Sequence, residues 1–149
     1  MSTAVPIPRL TVITLGVNDI RASIAFYEAL GFARKFRATG EAVAFFDTGG
    51  TVLALFPWDQ LAQDATLPEH PRAAGFRGAT LAWNCRTPEE VDLVLDFAVS
   101  KGAALLRAAH PTDYGGYSGY FTDLDGHAWE VVVAPGIEVG DDRRVYLAE

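Results

Sequence analysis

Tyr120-Phe121-Thr122-Asp123-Leu124-Asp125-Gly126-His127-Ala128-Trp129-Glu130-Val131-Val132-Val133 decides how the rest of the chain is read. It predicts two antiparallel strands joined by a tight turn. Asp125-Gly126 is the turn signal, because glycine takes the positive φ that such turns require. Past the turn the strand is apolar except for one carboxylate, Glu130. A carboxylate is costly to bury unless something pairs with it, so Glu130 poses the sharpest chemical question in the chain.

Working upstream, residues 103–108 and 116–122 read as two further strands. A helix precedes them. Thr87 is its cap, Pro88 its first position, Glu90 the capping-box acid, and Val91, Val94, Leu95 and Ala98 its buried stripe. Residues 77–84 read as a strand before that helix. The same order occurs once already. Residues 10–17 are a β-branched strand, Asn18-Asp19 a turn and cap, residues 20–30 a helix ended by Gly31, and residues 33–37, 42–47 and 52–56 three short strands. Phe46-Asp47-Thr48-Gly49-Gly50 mirrors Phe121-Thr122-Asp123-Leu124-Asp125-Gly126, and aligning the glycines sets Ala54 opposite Glu130. The expected organisation is one domain, 1–149. It has a first βαβββ module over residues 9–57, a Pro-rich connector over 58–76 with a helical turn at 59–63, a second module over 77–134 and a polar tail over 135–149. The tail packs on the surface or on a neighbouring subunit. The fold class is α+β, with two four-stranded sheets, each carrying a helix, whose inner faces enclose a cleft.

Composition narrows the function. Twelve Lys and Arg against 19 Asp and Glu give a formal net charge of −7, which argues against nucleic acid as a partner, since that needs a basic face. No apolar run approaches the roughly 18 residues of a membrane span. The first residues show no secretory leader, and a single cysteine, Cys85, fits a reducing compartment. A cytoplasmic protein with a small-molecule partner is therefore expected, without nucleic acid or membrane.

The doubled module ending in Asp-Leu-Asp-Gly-His-Ala-Trp-Glu-Val, together with Val17-Asn18-Asp19-Ile20, Ser23, Phe26-Tyr27 and Leu30-Gly31-Phe32, resembles the vicinal-oxygen-chelate superfamily. That group includes glyoxalase I, extradiol dioxygenases, fosfomycin-resistance enzymes and bleomycin-binding proteins. In its metal-dependent members a divalent ion is held by His, Gln or Glu on the first and last strands of the modules. Position by position, the resemblance places these ligands at Val12, Ala54, Glu130 and Ala79, the last becoming Thr80 if the register slips by one. One carboxylate does not hold a divalent ion tightly. The histidines do not replace the missing ligands: His70 falls in the connector, His110 begins a loop, and His127 alternates away from Glu130. No cofactor is expected, with Fe, Mn, Ni or Zn as the alternative. The resemblance also implies a homodimer, since some relatives build each cleft from both chains.

Strand alternation places Val12, Thr14, Val52, Phe56, Ala79, Leu81, Trp83, Ala128 and Val132 beside Glu130, an apolar and aromatic lining suited to a small molecule. Trp58 stands at the module boundary, over the cleft mouth or simply in the joint. Trp83 is a pocket wall or core packing. The loop over 110–120 offers Tyr114, Tyr117 and Tyr120 as phenol donors, or packs its rings at an edge. Glu130 is a carboxylate satisfied by neighbouring hydroxyls, a polar anchor or general base, or a metal ligand. Three functions follow. The first is a bleomycin-resistance-like binder of a small molecule in a metal-free cleft. The second is a metal-dependent glyoxalase-like lyase or isomerase, or a dioxygenase, using Glu130. The third is a non-catalytic structural module.

Overall fold

The β-branched and aromatic runs form strands and the capped amphipathic runs form helices, in the doubled order the sequence predicts. The computed structural model describes residues 4–67 and 75–149. The first module is β1 (Val12–Val17), α1 (Ile20–Ala29), β2 (Ala33–Lys35), β3 (Ala44–Asp47) and β4 (Val52–Pro57); α2 (Trp58–Asp64) follows it. The second is β5 (Leu81–Asn84), α3 (Pro88–Ser100), β6 (Ala104–Pro111), β7 (Tyr117–Thr122) and β8 (Ala128–Val133), and a hairpin of β9 (Ile137–Val139) and β10 (Val145–Leu147) ends the chain. The two four-stranded sheets share one topology, β1-β4-β3-β2 and β5-β8-β7-β6, with the first and last strands of each module parallel and adjacent. Both caps are as expected: Asp19 accepts the amide of Ala22 at 3.1 Å, and Thr87 accepts that of Glu90 at 3.1 Å.

The modules meet through the strand faces that alternate with Ala54 and Glu130. Leu15, Leu53, Leu55 and Phe46 from one sheet, and Phe121, Trp129 and Val131 from the other, form one core with α1 and α3. Tyr27 of α1 stands 6.0 Å from the Trp129 ring, and Phe32 stands 5.6 Å from both Trp83 and Trp129. A half-open cleft of about 1200 Å³ runs between the β1 and β5 edges of the two sheets, lined by Ile13, Phe32, Leu53, Trp83 and Trp129 from the core side, by Thr80 and Ala82 from the other, and by the tail.

Three segments differ from expectation. β6 runs on through His110 and Pro111, which pair with Ser118 and Tyr117, where the sequence suggests a loop. Proline is tolerated there because β6 is an edge strand. The connector turn lengthens to the seven residues of α2. The tail is an ordered hairpin strapped to both modules, by Arg143 to Asp47 at 3.6 Å and by Arg86 to Asp141 at 3.0 Å. His70 lies outside the described residues. Among those described, no helix is long and apolar enough to cross a membrane.

Candidate functional site

The strand registers settle what surrounds Glu130. Ala82 lies opposite it on β5 and Tyr120 on β7, and Arg107 of β6 lies opposite Tyr120. Directly paired residues share a face, so a row crosses the second sheet as Ala82, Glu130, Tyr120, Arg107. The first sheet has the same row: Thr14, Ala54, Phe45, Lys35. Alignment of Ala54 with Glu130 is thus a match of registers as well as of sequence. Two residues back along the first strand of each module stand Val12 and Thr80. Both are exposed, as are Thr14 and Ala82, and Val12 keeps 43% of its surface. The Glu130 face and the Ala54 face therefore lie away from the shared core.

The hydrogen-bond partners of Glu130 lie in its own sheet. Tyr120 donates its phenol to the carboxylate at 3.2 Å, and Ser118 donates its hydroxyl at 3.4 Å. Burial raises the Tyr120 pKa above that of an ordinary phenol, the neighbouring Glu130 charge and the hydrogen bond to it add to the rise, and the Arg107 charge opposes it. The carboxylate and the guanidinium therefore both act on the phenol, across three strands. The Arg107 guanidinium makes no hydrogen bond or ion pair among the described residues.

The turn before β8 does different work. Asp123, only 5% exposed, accepts the Tyr27 phenol at 2.6 Å and the amides of Asp125 and His127, each at 2.9 Å. Trp129 donates its indole N–H to the Tyr27 oxygen at 3.1 Å. Burial, then the Asp123 charge, pushes the Tyr27 phenol well above its usual range. Asp125 accepts the Asn18 amide at 2.7 Å and the Ser23 hydroxyl at 3.1 Å. His127 reaches the Gly16 carbonyl at 2.7 Å and the Arg77 guanidinium at 3.1 Å. Gly126 takes φ of 83°, as the turn requires. The Asp-Leu-Asp-Gly-His stretch is thus the joint that locks β8 to α1 and β1.

The expected aromatic lining is divided among three places. Tyr120 shares the Glu130 face, and the exposed Tyr114 sits near enough to act on the Tyr120 phenol. Phe56 occupies the corresponding face of the first module, on the same side of β4 as Ala54. Trp83 faces the other way, into the shared core and cleft, because Ala82 rather than Leu81 or Trp83 is paired with Glu130. The sequence reading is corrected here by one residue: Thr80, Ala82 and Asn84 share the Glu130 face, and Ala79, Leu81 and Trp83 do not. Trp58 lies in the joint, stacked on His127 at 6.0 Å, under the Arg77 guanidinium at 5.0 Å and against Gly16, where an added Cβ would meet the Trp58 ring at 3.2 Å. Tyr117 donates its phenol to Asp92 of α3 at 2.8 Å, on the core side of the sheet. Ser118 and Arg107 are the residues that sequence reasoning missed. Ser118 was legible as Tyr120 minus two. Arg107 was hidden by irregular pairing on both sides of it in β6.

Residues 9–131 match the family described as the Glyoxalase/Bleomycin resistance protein/Dioxygenase superfamily. The chain belongs to this superfamily. It is similar to a glyoxalase-related enzyme from Fulvimarina pelagi, at 35% identity and TM-score 0.83, over 96% of this chain and 100% of that one. It is 28% identical over 114 residues to the metallothiol transferase FosB of Lysinibacillus sphaericus, 76% of this chain and 74% of the relative. The lactoylglutathione lyase of Agrobacterium tumefaciens shares the fold at TM-score 0.65 and 23% identity, over 86% of this chain and 95% of that one.

Superfamily members often use a divalent metal, and the four corresponding positions here test whether one fits. The register chooses Thr80 over Ala79, so the set is Val12, Ala54, Thr80 and Glu130. Two are hydrocarbons, one is a neutral hydroxyl and one a carboxylate. Divalent ions in such sites need several imidazole or carboxylate donors. The residues present do not fit a protein-held ion, and no group of three or more His, Cys, Asp or Glu suited to one occurs among the described residues.

Proposed function

We propose that this superfamily member binds a small molecule on the Glu130 face, that the Val12–Ala54 face of a second copy closes the site, and that binding needs no protein-held metal ion. The observation that carries this reading is the environment of Glu130. Its carboxylate is supported by the Ser118 and Tyr120 hydroxyls, while Val12, Ala54 and Thr80 supply nothing to share a metal with it. A half-buried carboxylate on a partly covered sheet face, where Ser118 and Val132 are buried and Ala82 and Arg107 exposed, suits a ligand that brings a hydrogen-bond donor. The exposed apolar surface of the first module suits a homodimer. There Phe36, 68% exposed, is held at φ 50° and stacks on Phe45 at 6.1 Å. A cytoplasmic location fits the single free cysteine: Cys85 is buried, and desolvation pushes its thiol up to about 11, which leaves it unreactive.

One specific observation favours a second reading, a metal-dependent transferase or lyase: the similarity to a protein named as a metallothiol transferase. The experiment that separates the two is a neutral-fragment screen followed by protein NMR, with and without chelator, alongside metal analysis after dialysis against Mn, Fe(II), Ni and Zn. The proposal expects amide shifts at Ser118, Tyr120 and Glu130 that survive chelation, and no ion bound in proportion to the chain. One retained ion per chain, lost in Glu130→Ala, would overturn it.

A further inference from the structure

The row that crosses the Glu130 face ends in a cation. Ala82, Glu130, Tyr120 and Arg107 are consecutive neighbours across four strands. Neighbouring strands lie about 4.8 Å apart, so the backbones of Glu130 and Arg107 stand roughly 10 Å apart, with the Tyr120 ring between them. Each charge is placed to be used. Glu130 is held by two hydroxyl donors of its own sheet, and two hydroxyls leave capacity on a carboxylate, which accepts about four hydrogen bonds. The Arg107 guanidinium has no ion pair or hydrogen bond among the described residues, yet its charge acts on the Tyr120 phenol. Its five donors in a rigid fork match an oxyanion better than any other group. The first module also carries a cation in this row, Lys35, with alanine in place of the carboxylate.

Resting on the reading of this face as the binding site, we propose that its ligand is a small bifunctional molecule. An ammonium or hydroxyl meets Glu130, and an oxyanion a few bonds away, carboxylate or phosphate, meets Arg107. The Tyr120 ring forms the floor between the two ends. The net charge of −7 does not oppose this, because recognition of the oxyanion is local to the guanidinium. A cation on an edge strand also discourages strand pairing between molecules, and the test has to separate that role from ligand binding.

The probes are 2-aminoethyl phosphate and β-alanine, which carry both groups, ethylamine, which carries the donor alone, and ethyl phosphate, which carries the oxyanion alone. Binding is read by ¹H–¹⁵N NMR on the full chain. The proposal expects shifts at Arg107, Ser118, Tyr120 and Glu130, with at least one bifunctional probe binding tenfold or more tightly than either half-probe. The tighter of the two identifies the oxyanion as phosphate or carboxylate. Arg107→Gln should bring that probe to the affinity of ethylamine, Arg107→Lys should fall between, and Glu130→Gln should bring it toward its oxyanion-only counterpart. Arg107 is exposed, so these variants fold, and circular dichroism checks it. The inference is overturned if Arg107→Gln binds the bifunctional probes as the native protein does, if ethylamine binds equally well, or if no probe shifts this face. If neutral fragments still shift Ser118 and Tyr120, only the oxyanion inference falls. If shifts gather instead at Trp83 and Trp129, the reading of the site falls with it.

Discussion

The two modules repeat one backbone and differ at its centre. Thr14, Ala54, Phe45 and Lys35 cross the first sheet where Ala82, Glu130, Tyr120 and Arg107 cross the second. Two differences are coupled: where alanine becomes glutamate, the phenylalanine across from it becomes tyrosine. A carboxylate on a half-covered sheet needs hydroxyl donors, and the second module supplies them from the neighbouring strand. The first module keeps hydrocarbon at both positions, Ala54 buried and Phe45 stacked under Phe36, and needs no such donors. The turns before the last strands differ in the same way. Asp123 is buried and accepts three hydrogen bonds, whereas Asp47 stands in a looser turn, accepting the Gly49 amide at 2.9 Å and facing Arg143 at 3.6 Å. On the proposed reading, one copy of the repeat supplies the joint and the polar site, and the other supplies the wall.

The largest expected effect breaks the contrast between the turns. Asp123→Ala strands the Tyr27 phenol and two amides in a buried place, and we expect a loss of about 3 kcal/mol or more in urea unfolding. Asp47→Ala should move the unfolding midpoint far less, because its carboxylate is open to solvent. Equal losses from the two variants would mean that the two turns carry the modules alike.

Next is an attempt to make the first module resemble the second. Ala54 is 1% exposed and faces Phe45, which has no hydroxyl. Ala54→Glu should cost about 3 kcal/mol, the scale for a buried carboxylate without donors. Adding Phe45→Tyr should return about 1 kcal/mol of it through the new hydrogen bond. Unfolding of the single and double variants measures both quantities. A double variant no more stable than Ala54→Glu alone would show that the coupling seen at Glu130 and Tyr120 is not what makes the carboxylate tolerable.

Much of this is legible in the sequence alone. The doubled strand order, both helix caps and the correspondence of Ala54 with Glu130 follow from period, cap chemistry and the two glycine turns. Element order survives small errors because helices and strands have different periods. Faces do not survive them, since the side-chain period of a strand is two and a slip of one residue turns every side chain over. That is why Trp83 was set beside Glu130 and belongs instead to the shared core. Trp58 and His127 are a different case, because what the sequence does not show is their contact. Their stacking, under Arg77 and over Gly16, joins residues up to 111 positions apart, and local pattern carries no trace of such a contact. The tail hairpin was hidden for a similar reason, because its straps to Asp47 and Arg86 are long-range ion pairs.

The smallest expected effect sharpens the comparison from the other side. Glu130→Gln keeps the shape of the side chain and an oxygen to accept from Tyr120 and Ser118, so the hydrogen bonds at 3.2 and 3.4 Å can persist. It removes the negative charge. Thermal unfolding should shift by no more than about 0.5 kcal/mol, the range of changes that create neither a cavity nor an unpaired group. The Tyr120 phenol should respond more clearly. Its pKa is raised first by burial and then by the Glu130 charge, so loss of that charge lets the proton leave at lower pH, while burial keeps the group above an ordinary phenol. Ultraviolet titration of the native protein and the variant, each with Tyr120→Phe as the blank, isolates this one transition. A Tyr120 transition that did not move would mean that the carboxylate and the phenol do not share a local environment, and the polar centre that sets the second module apart would dissolve into two unrelated surface groups.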